Sequence, residues 1–127
     1  MTAKELFDKA ATALSSAQLL FKSGDFDGTC NRAYYAMFDA ARAALLVGDG
    51  NESALAIKTH GGLISAFSLR LVKSGAVSLE LGKSFNKVED LRLVADYKGD
   101  PVETEQAQWA VDQAKIFVEV LRALSGF

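Results

Sequence analysis

Three short clusters in this 127-residue chain carry the side chains best suited to chemistry. The first is Asn31-Arg32-Ala33-Tyr34-Tyr35, followed at helical spacing by Asp39 and Arg42. Residues three or four apart share a helix face, so Asn31, Arg32, Tyr35, Asp39 and Arg42 form one side. On that side Arg32 and Tyr35 are placed to line a groove and offer donors to a phosphate or an opposing subunit. Tyr34 and Tyr35 are adjacent, about 100° apart around the axis, so only one of them shares that face. The same residues equally suit a solvated face on which arginine stems lie flat and tyrosine hydroxyls reach water.

The second cluster, Lys58-Thr59-His60-Gly61-Gly62, contains the single histidine. An imidazole is suited to proton transfer near neutral pH. Lys58 and His60 beside the free N–H groups of a helix start also suit an anion. The segment lacks the glycine spacing and closing Lys-Ser/Thr pair of a P-loop, and a histidine at a helix start also serves for capping or packing. The third cluster is Arg92-Leu93-Val94-Ala95-Asp96-Tyr97. Arg92 and Asp96, four apart, suit an ion pair. As a surface pair it is worth a few tenths of a kcal/mol. As a functional pair, Asp96 holds Arg92 for a planar two-point grip on phosphate, and Tyr97 adds a hydroxyl or a stacking surface.

Composition removes several chemistries. Lys+Arg 14 against Asp+Glu 16 excludes a uniformly basic nucleic-acid coat and leaves room for a local basic patch. One cysteine and one histidine make neither an internal disulfide nor a zinc ligand set. Calcium-loop spacing and the Glu-x-x-His pairs of di-iron bundles are absent, so no metal and no cofactor is implied. Cys30 falls on an apolar stripe and is expected to be a buried, inert thiol. No apolar run approaches the roughly 18–20 residues of a membrane span, and the N-terminal residues mix charges, which predicts a cytoplasmic protein.

The elements that must hold these clusters are helical. Leu6, Ala10, Leu14, Ala17 and Phe21 repeat at threes and fours, with Thr2 and Glu5 as a capping box and Gly24 as the stop. A second helix is predicted from about Asp25 to Val47, with Cys30, Ala33, Met37, Ala41 and Ala44 on its apolar stripe and a loop at Gly48-Asp49-Gly50-Asn51. A third runs from about Thr59 to Lys73, Leu63, Phe67 and Leu71 inward, and stops at Gly75. Ser78 caps a fourth carrying Leu81, Phe85, Val88, Leu91 and Ala95. Lys98-Gly99-Asp100-Pro101 breaks it, and Pro101 fits the first position of a last helix capped by Asp100, with Glu103 in its first turn. That helix carries Ala107, Ala110, Ala114, Phe117, Leu121 and Leu124. One domain over residues 1–127 is expected: an all-α, up-and-down bundle of four main helices with a fifth element.

Taken together and in order, the motifs resemble those of the HEPN superfamily, in its small stand-alone prokaryotic branch. Asn31 to Arg42 is similar to that branch's "RAYYAMF-AAR" helix. Lys58-Thr59-His60, then Phe67 and Leu71 to Gly75, resembles its "KTH…F…LVKSG" stretch. Arg92, Ala95, Asp96 and Tyr97 resemble its "R..ADY" signature, and Ala107 to Val118 its closing helix. The resemblance implies a helical bundle paired as a homodimer and encoded beside a nucleotidyltransferase-fold partner in toxin–antitoxin modules. It also implies, for many members, a metal-independent ribonuclease that uses an arginine followed four to six residues later by histidine. Here Arg92 matches, but Leu93 to Lys98 contains no histidine and Asp96 stands four residues on. An ionised aspartate accepts hydrogen bonds and repels phosphate, so it does not replace a histidine without a large pKa shift.

Three functions follow as expectations. The first is a dimeric nucleotide- or RNA-binding component with a nucleotidyltransferase-type partner, non-cleaving, using Arg32, Tyr35, Lys58, His60, Arg92, Asp96 and Tyr97. The second is a ribonuclease toxin with a rearranged site, in which His60 and Arg92 are catalytic. The third is a purely structural dimerisation domain.

Overall fold

The computed structural model describes residues 1–49, 56–99 and 101–127, with Asp49, Tyr97 and Lys98 described in the backbone alone. Helix α1 spans Ala3–Ser23 and α2 spans Phe26–Asp49. The shorter α3, His60–Phe67, continues into a π-helical turn at Ser68–Val72. Helix α4, Leu79–Leu93, continues into a second π turn at Val94–Lys98, and α5 spans Thr104–Leu124. No strand occurs among the described residues. The chain is all-α, as its three-and-four periodicity predicts.

Local chemistry sets most helix ends where the sequence places them. The Thr2, Thr59 and Ser78 side chains accept from the N–H groups of Glu5, Gly62 and Leu81, each occupying a donor that the first turn leaves open. Gly24 closes α1 at a φ of 85°, a left-handed value that favours a residue without Cβ. Asp25 starts α2: its Oδ1 accepts from Gly28 N at 2.8 Å. Helix α2 then runs past the expected loop start, through Gly48 to Asp49.

The start of α5 departs from expectation. Pro101 lies ahead of the helix, and Glu103 is the cap, in a reciprocal box with Gln106. The expected cap, Asp100, lies outside the described residues. The cause is long-range. Asp27 Oδ1 accepts from Val102 N at 3.1 Å, Val102 is buried, and the helix starts only beyond this tether to α2.

The Asp27–Val102 bond puts the starts of α2 and α5 together, and the Phe7 ring lies 5.3 Å from that of Phe127, so α1 and α5 run oppositely. The result is the up-and-down bundle, with α3 as the fifth element. An alanine seam, Ala10, Ala13 and Ala17 of α1 with Ala33, Ala36, Ala40 and Ala43 of α2, is buried and lets the two backbones approach closely. Phe67, Phe85 and Phe117 stack where α3, α4 and α5 meet, with centroids 5.2 to 6.4 Å apart. Cys30 is fully buried on the inner stripe of α2, and burial pushes its thiol pKa up to about 12, with the Asp27 charge adding to it. A thiol so placed stays protonated and unreactive.

Candidate nucleotide or RNA site

The last turn of α4 holds Arg92 between two acids. Glu89, three residues earlier, takes Nε at 2.9 Å and Nη2 at 3.1 Å on its two oxygens, the bidentate geometry that a guanidinium favours. Asp96 accepts from Nη1 at 3.0 Å across the junction with the π turn. The Arg92 and Glu89 side chains are only 12% and 11% exposed, whereas Asp96 is 30% exposed. The Glu89 hydrogen bonds raise the Arg92 pKa and outweigh the opposing effect of burial. With both carboxylates ionised the trio carries one net negative charge.

Tyr34 of α2 packs on this trio. The Arg92 guanidinium carbon is 4.7 Å from the Tyr34 ring centroid and 5.7 Å from that of Tyr35. Both tyrosines therefore meet Arg92, although their positions on α2 point different ways; α4 crosses α2 between the two rings. Beyond Tyr34 lies His60, whose Nδ1 is 3.0 Å from the Tyr34 hydroxyl and whose Nε2 is 2.7 Å from Asn86 Oδ1. An amide oxygen only accepts, so in neutral His60 the proton sits on Nε2 and Tyr34 donates its O–H to Nδ1. Burial, then the Glu89 charge, raises the Tyr34 pKa well above the usual tyrosine value. The phenol stays a neutral donor.

The other arginine of α2 is held differently. Arg32 donates through Nε at 3.1 Å and Nη2 at 3.0 Å to the neutral side-chain oxygen of Asn31. Its guanidinium lies 5.1 Å from the Tyr35 ring centroid. Arg32, Tyr35 and Asp39 form the α2 wall of an open cleft of about 600 Å³, whose α1 wall includes Glu5, Asp8, Lys9, Thr12 and Ala13. Asp39 is 9% exposed and pairs with Arg42 at 3.8 Å. Burial raises its pKa, against the pull of Lys9, Arg42 and Arg32.

Residues 3–124 match the HEPN domain. The chain belongs to the HEPN family. Its similarity to a UPF0332 protein of Gloeobacter violaceus reaches 34% identity over 119 residues, 92% of this chain and 90% of that one. A Methanocaldococcus jannaschii protein that bears the name "putative toxin" is 33% identical over 117 residues, 92% of this chain and 84% of that one. A UPF0332 protein of Thermotoga maritima is 34% identical over 119 residues, covering 91% and 85%.

In this HEPN chain five of the seven binding residues expected from sequence, Arg32, Tyr35, His60, Arg92 and Asp96, are linked by contacts, with Tyr34 as the bridge. His60 touches Tyr34, Tyr34 touches Arg92, Arg92 touches Tyr35, and Tyr35 touches Arg32. Asp96 closes the Arg92 end. Lys58 is exposed just ahead of α3. The Tyr97 side chain lies outside the described residues. Glu89, Asn86 and the role of Tyr34 as a bridge escaped the sequence reading. Glu89 had a usable signal: an acid three residues before an arginine whose second acid follows four later, a spacing that places all three on one helical face. Asn86 had none, because its partner His60 belongs to another helix. Among the described residues no group of His, Cys, Asp and Glu side chains gathers to hold a metal ion, and no helix is long and apolar enough to cross a membrane.

Proposed function

We propose that this HEPN protein binds a nucleotide or an RNA segment without cleaving it. It acts in the cytoplasm as a homodimer beside a nucleotidyltransferase-fold partner, in a toxin–antitoxin-like pair. The observation that carries the non-cleaving reading is the engagement of Arg92 by two carboxylates. Three of its N–H groups are directed to carboxylates, and a phosphate approaching it meets a net negative trio. Both nitrogens of His60 are also engaged, by Tyr34 and Asn86. Arg32, whose hydrogen-bond partner is a neutral amide, keeps its full charge toward solvent and is the better phosphate ligand. The toxin name of one relative supports the toxin–antitoxin setting. An exposed apolar row on α5, Ile116, Val120 and Leu124, each four residues apart, supports pairing through a helix face.

The test is incubation of the protein with single-stranded and structured RNA, with and without chelator. Binding without turnover is expected. Chelator-insensitive cleavage that disappears in Arg92→Ala overturns the reading. One observation favours the ribonuclease alternative, namely that Tyr34 brings His60 and Arg92 to the same ring. On that alternative, His60→Ala abolishes cleavage as well.

A further inference from the structure

The cleft between α1 and α2 contains a mostly buried carboxylate. Asp39 is nine-tenths buried and lines the cleft, and among the described residues no donor hydrogen-bonds its carboxylate. Its ion-pair partner, Arg42, stands at 3.8 Å, too long for a hydrogen bond. A buried carboxylate in that condition carries a desolvation cost that two N–H donors arriving side by side would offset. The cleft volume of about 600 Å³ falls within the range of small-ligand sites.

Two common chemical groups present two parallel N–H donors to a carboxylate: the Watson–Crick edge of guanine and the guanidinium of an arginine side chain. Adenine, cytosine and uracil do not, because none of them has two neighbouring N–H donors along that edge. The charges around Asp39 decide between the two. Lys9, Arg42 and Arg32 all act on it as cations, and they would repel an arriving guanidinium. They suit a neutral base that carries an anionic phosphate. Lys9 and Arg32 line the same cleft as Asp39; Glu5 and Asp8 line it too, and Lys4 offsets the Asp8 charge through a 2.9 Å ion pair.

We propose that this cleft is a guanine-recognition site, in which the Asp39 carboxylate accepts the N1–H and N2–H of the base while Arg32 and Lys9 face its phosphate. The inference rests on the nucleotide- or RNA-binding reading above and names the base. It places recognition in the α1–α2 cleft, away from the acid-paired Arg92.

Isothermal titration of the full chain with guanosine, adenosine and xanthosine 5′-monophosphates, and with arginine amide, tests it. Guanosine monophosphate is expected to bind about tenfold to a hundredfold more tightly than adenosine monophosphate, the discrimination of one good bidentate contact. Asp39→Asn replaces one acceptor by a donor. It should weaken guanosine monophosphate by a similar factor and strengthen xanthosine monophosphate, whose edge presents a carbonyl where guanine has its amino group. A merely structural Asp39 would weaken all three alike, and that result overturns the proposal. If the variant fails to fold, the guanosine-to-adenosine ratio of the parent protein decides. Equal affinities, or displacement of the nucleotide by arginine amide, overturn the proposal. RNA or nucleotide binding without guanine preference overturns this inference alone, whereas no binding of any nucleotide or RNA overturns the underlying reading as well.

Discussion

Two arginines of this bundle pack against the same tyrosine ring, that of Tyr35, and are handled in opposite ways. Both are half-buried, but Arg92 is gripped by two carboxylates and laid over Tyr34, whereas Arg32 is held by a neutral amide and laid over Tyr35. The first has its charge cancelled and its donors directed inward. The second has its position fixed and its charge kept. An arginine held by acids is a structural fastener, and one held by an amide remains a reagent. The family signature draws attention to Arg92, whereas the electrostatics favour Arg32.

Substitutions can break or sharpen that contrast. The largest effect is expected for Glu89→Ala, which removes the bidentate partner of the half-buried Arg92 guanidinium and leaves it only Asp96. A loss of about 3 kcal/mol is expected, read by urea denaturation. A loss no larger than that of a surface pair would mean that Arg92 is not a fastener. Tyr34→Phe should cost about 1 kcal/mol, since it removes the hydroxyl that His60 accepts.

Tyr34 also makes a pH prediction. Its folded pKa is raised, so the native state retains this proton where the unfolded chain, titrating near pH 10, has lost it. Stability from this group is therefore full below about pH 10 and falls as pH rises further. Denaturation midpoints of the parent should fall more steeply above that pH than those of Tyr34→Phe. Parallel profiles would contradict the burial of this phenol.

Arg32→Ala should cost less than about 1 kcal/mol, because it removes an amide contact and one ring contact at a half-buried position. Its effect belongs instead in ligand titrations, where affinity for nucleotide or RNA should drop and salt dependence should weaken. The smallest stability effect is expected for Asp39→Asn, and its sign is opposite. Burial raises the Asp39 pKa, so ionisation of this carboxyl works against the fold as pH climbs from the usual carboxylate range toward neutrality. The neutral amide should leave the melting temperature at pH 7 unchanged or higher, and the difference should vanish in acid. A residue whose neutralisation stabilises the protein while removing binding is under functional strain, as sites commonly are.

The sequence made the helices legible because their ends are written locally. Thr2, Gly24, Thr59 and Ser78 each act within one turn of their own position. The start of α5 was misplaced because its determinant, Asp27, stands 75 residues from the Val102 that it tethers. The π turns at Ser68–Val72 and Val94–Lys98 have no residue signature, and arise in helices that otherwise read as regular. The site was legible as a set of residue types and not as an arrangement. Arg92 and Asp96 pair as their spacing predicts, whereas the burial of Glu89 and the approach of both tyrosines to one guanidinium depend on how α4 crosses α2. The burial of Asp39 and its long 3.8 Å pairing with Arg42 are likewise tertiary properties, which the spacing of three alone does not report.

The alanine seam between α1 and α2 has a further consequence. Its side chains are the smallest that still favour a helix, and one of them, Ala13, lines the cleft together with Arg32, Asp39 and Lys9. The seam works as a caliper: the distance between the two backbones, and with it the width of the cleft mouth, is set by single methyl groups. Replacing Ala36 by valine would widen the cleft without altering any residue that lines it. Ligand size in this architecture can therefore be retuned from underneath, by changes in the floor that leave the chemistry of the walls intact.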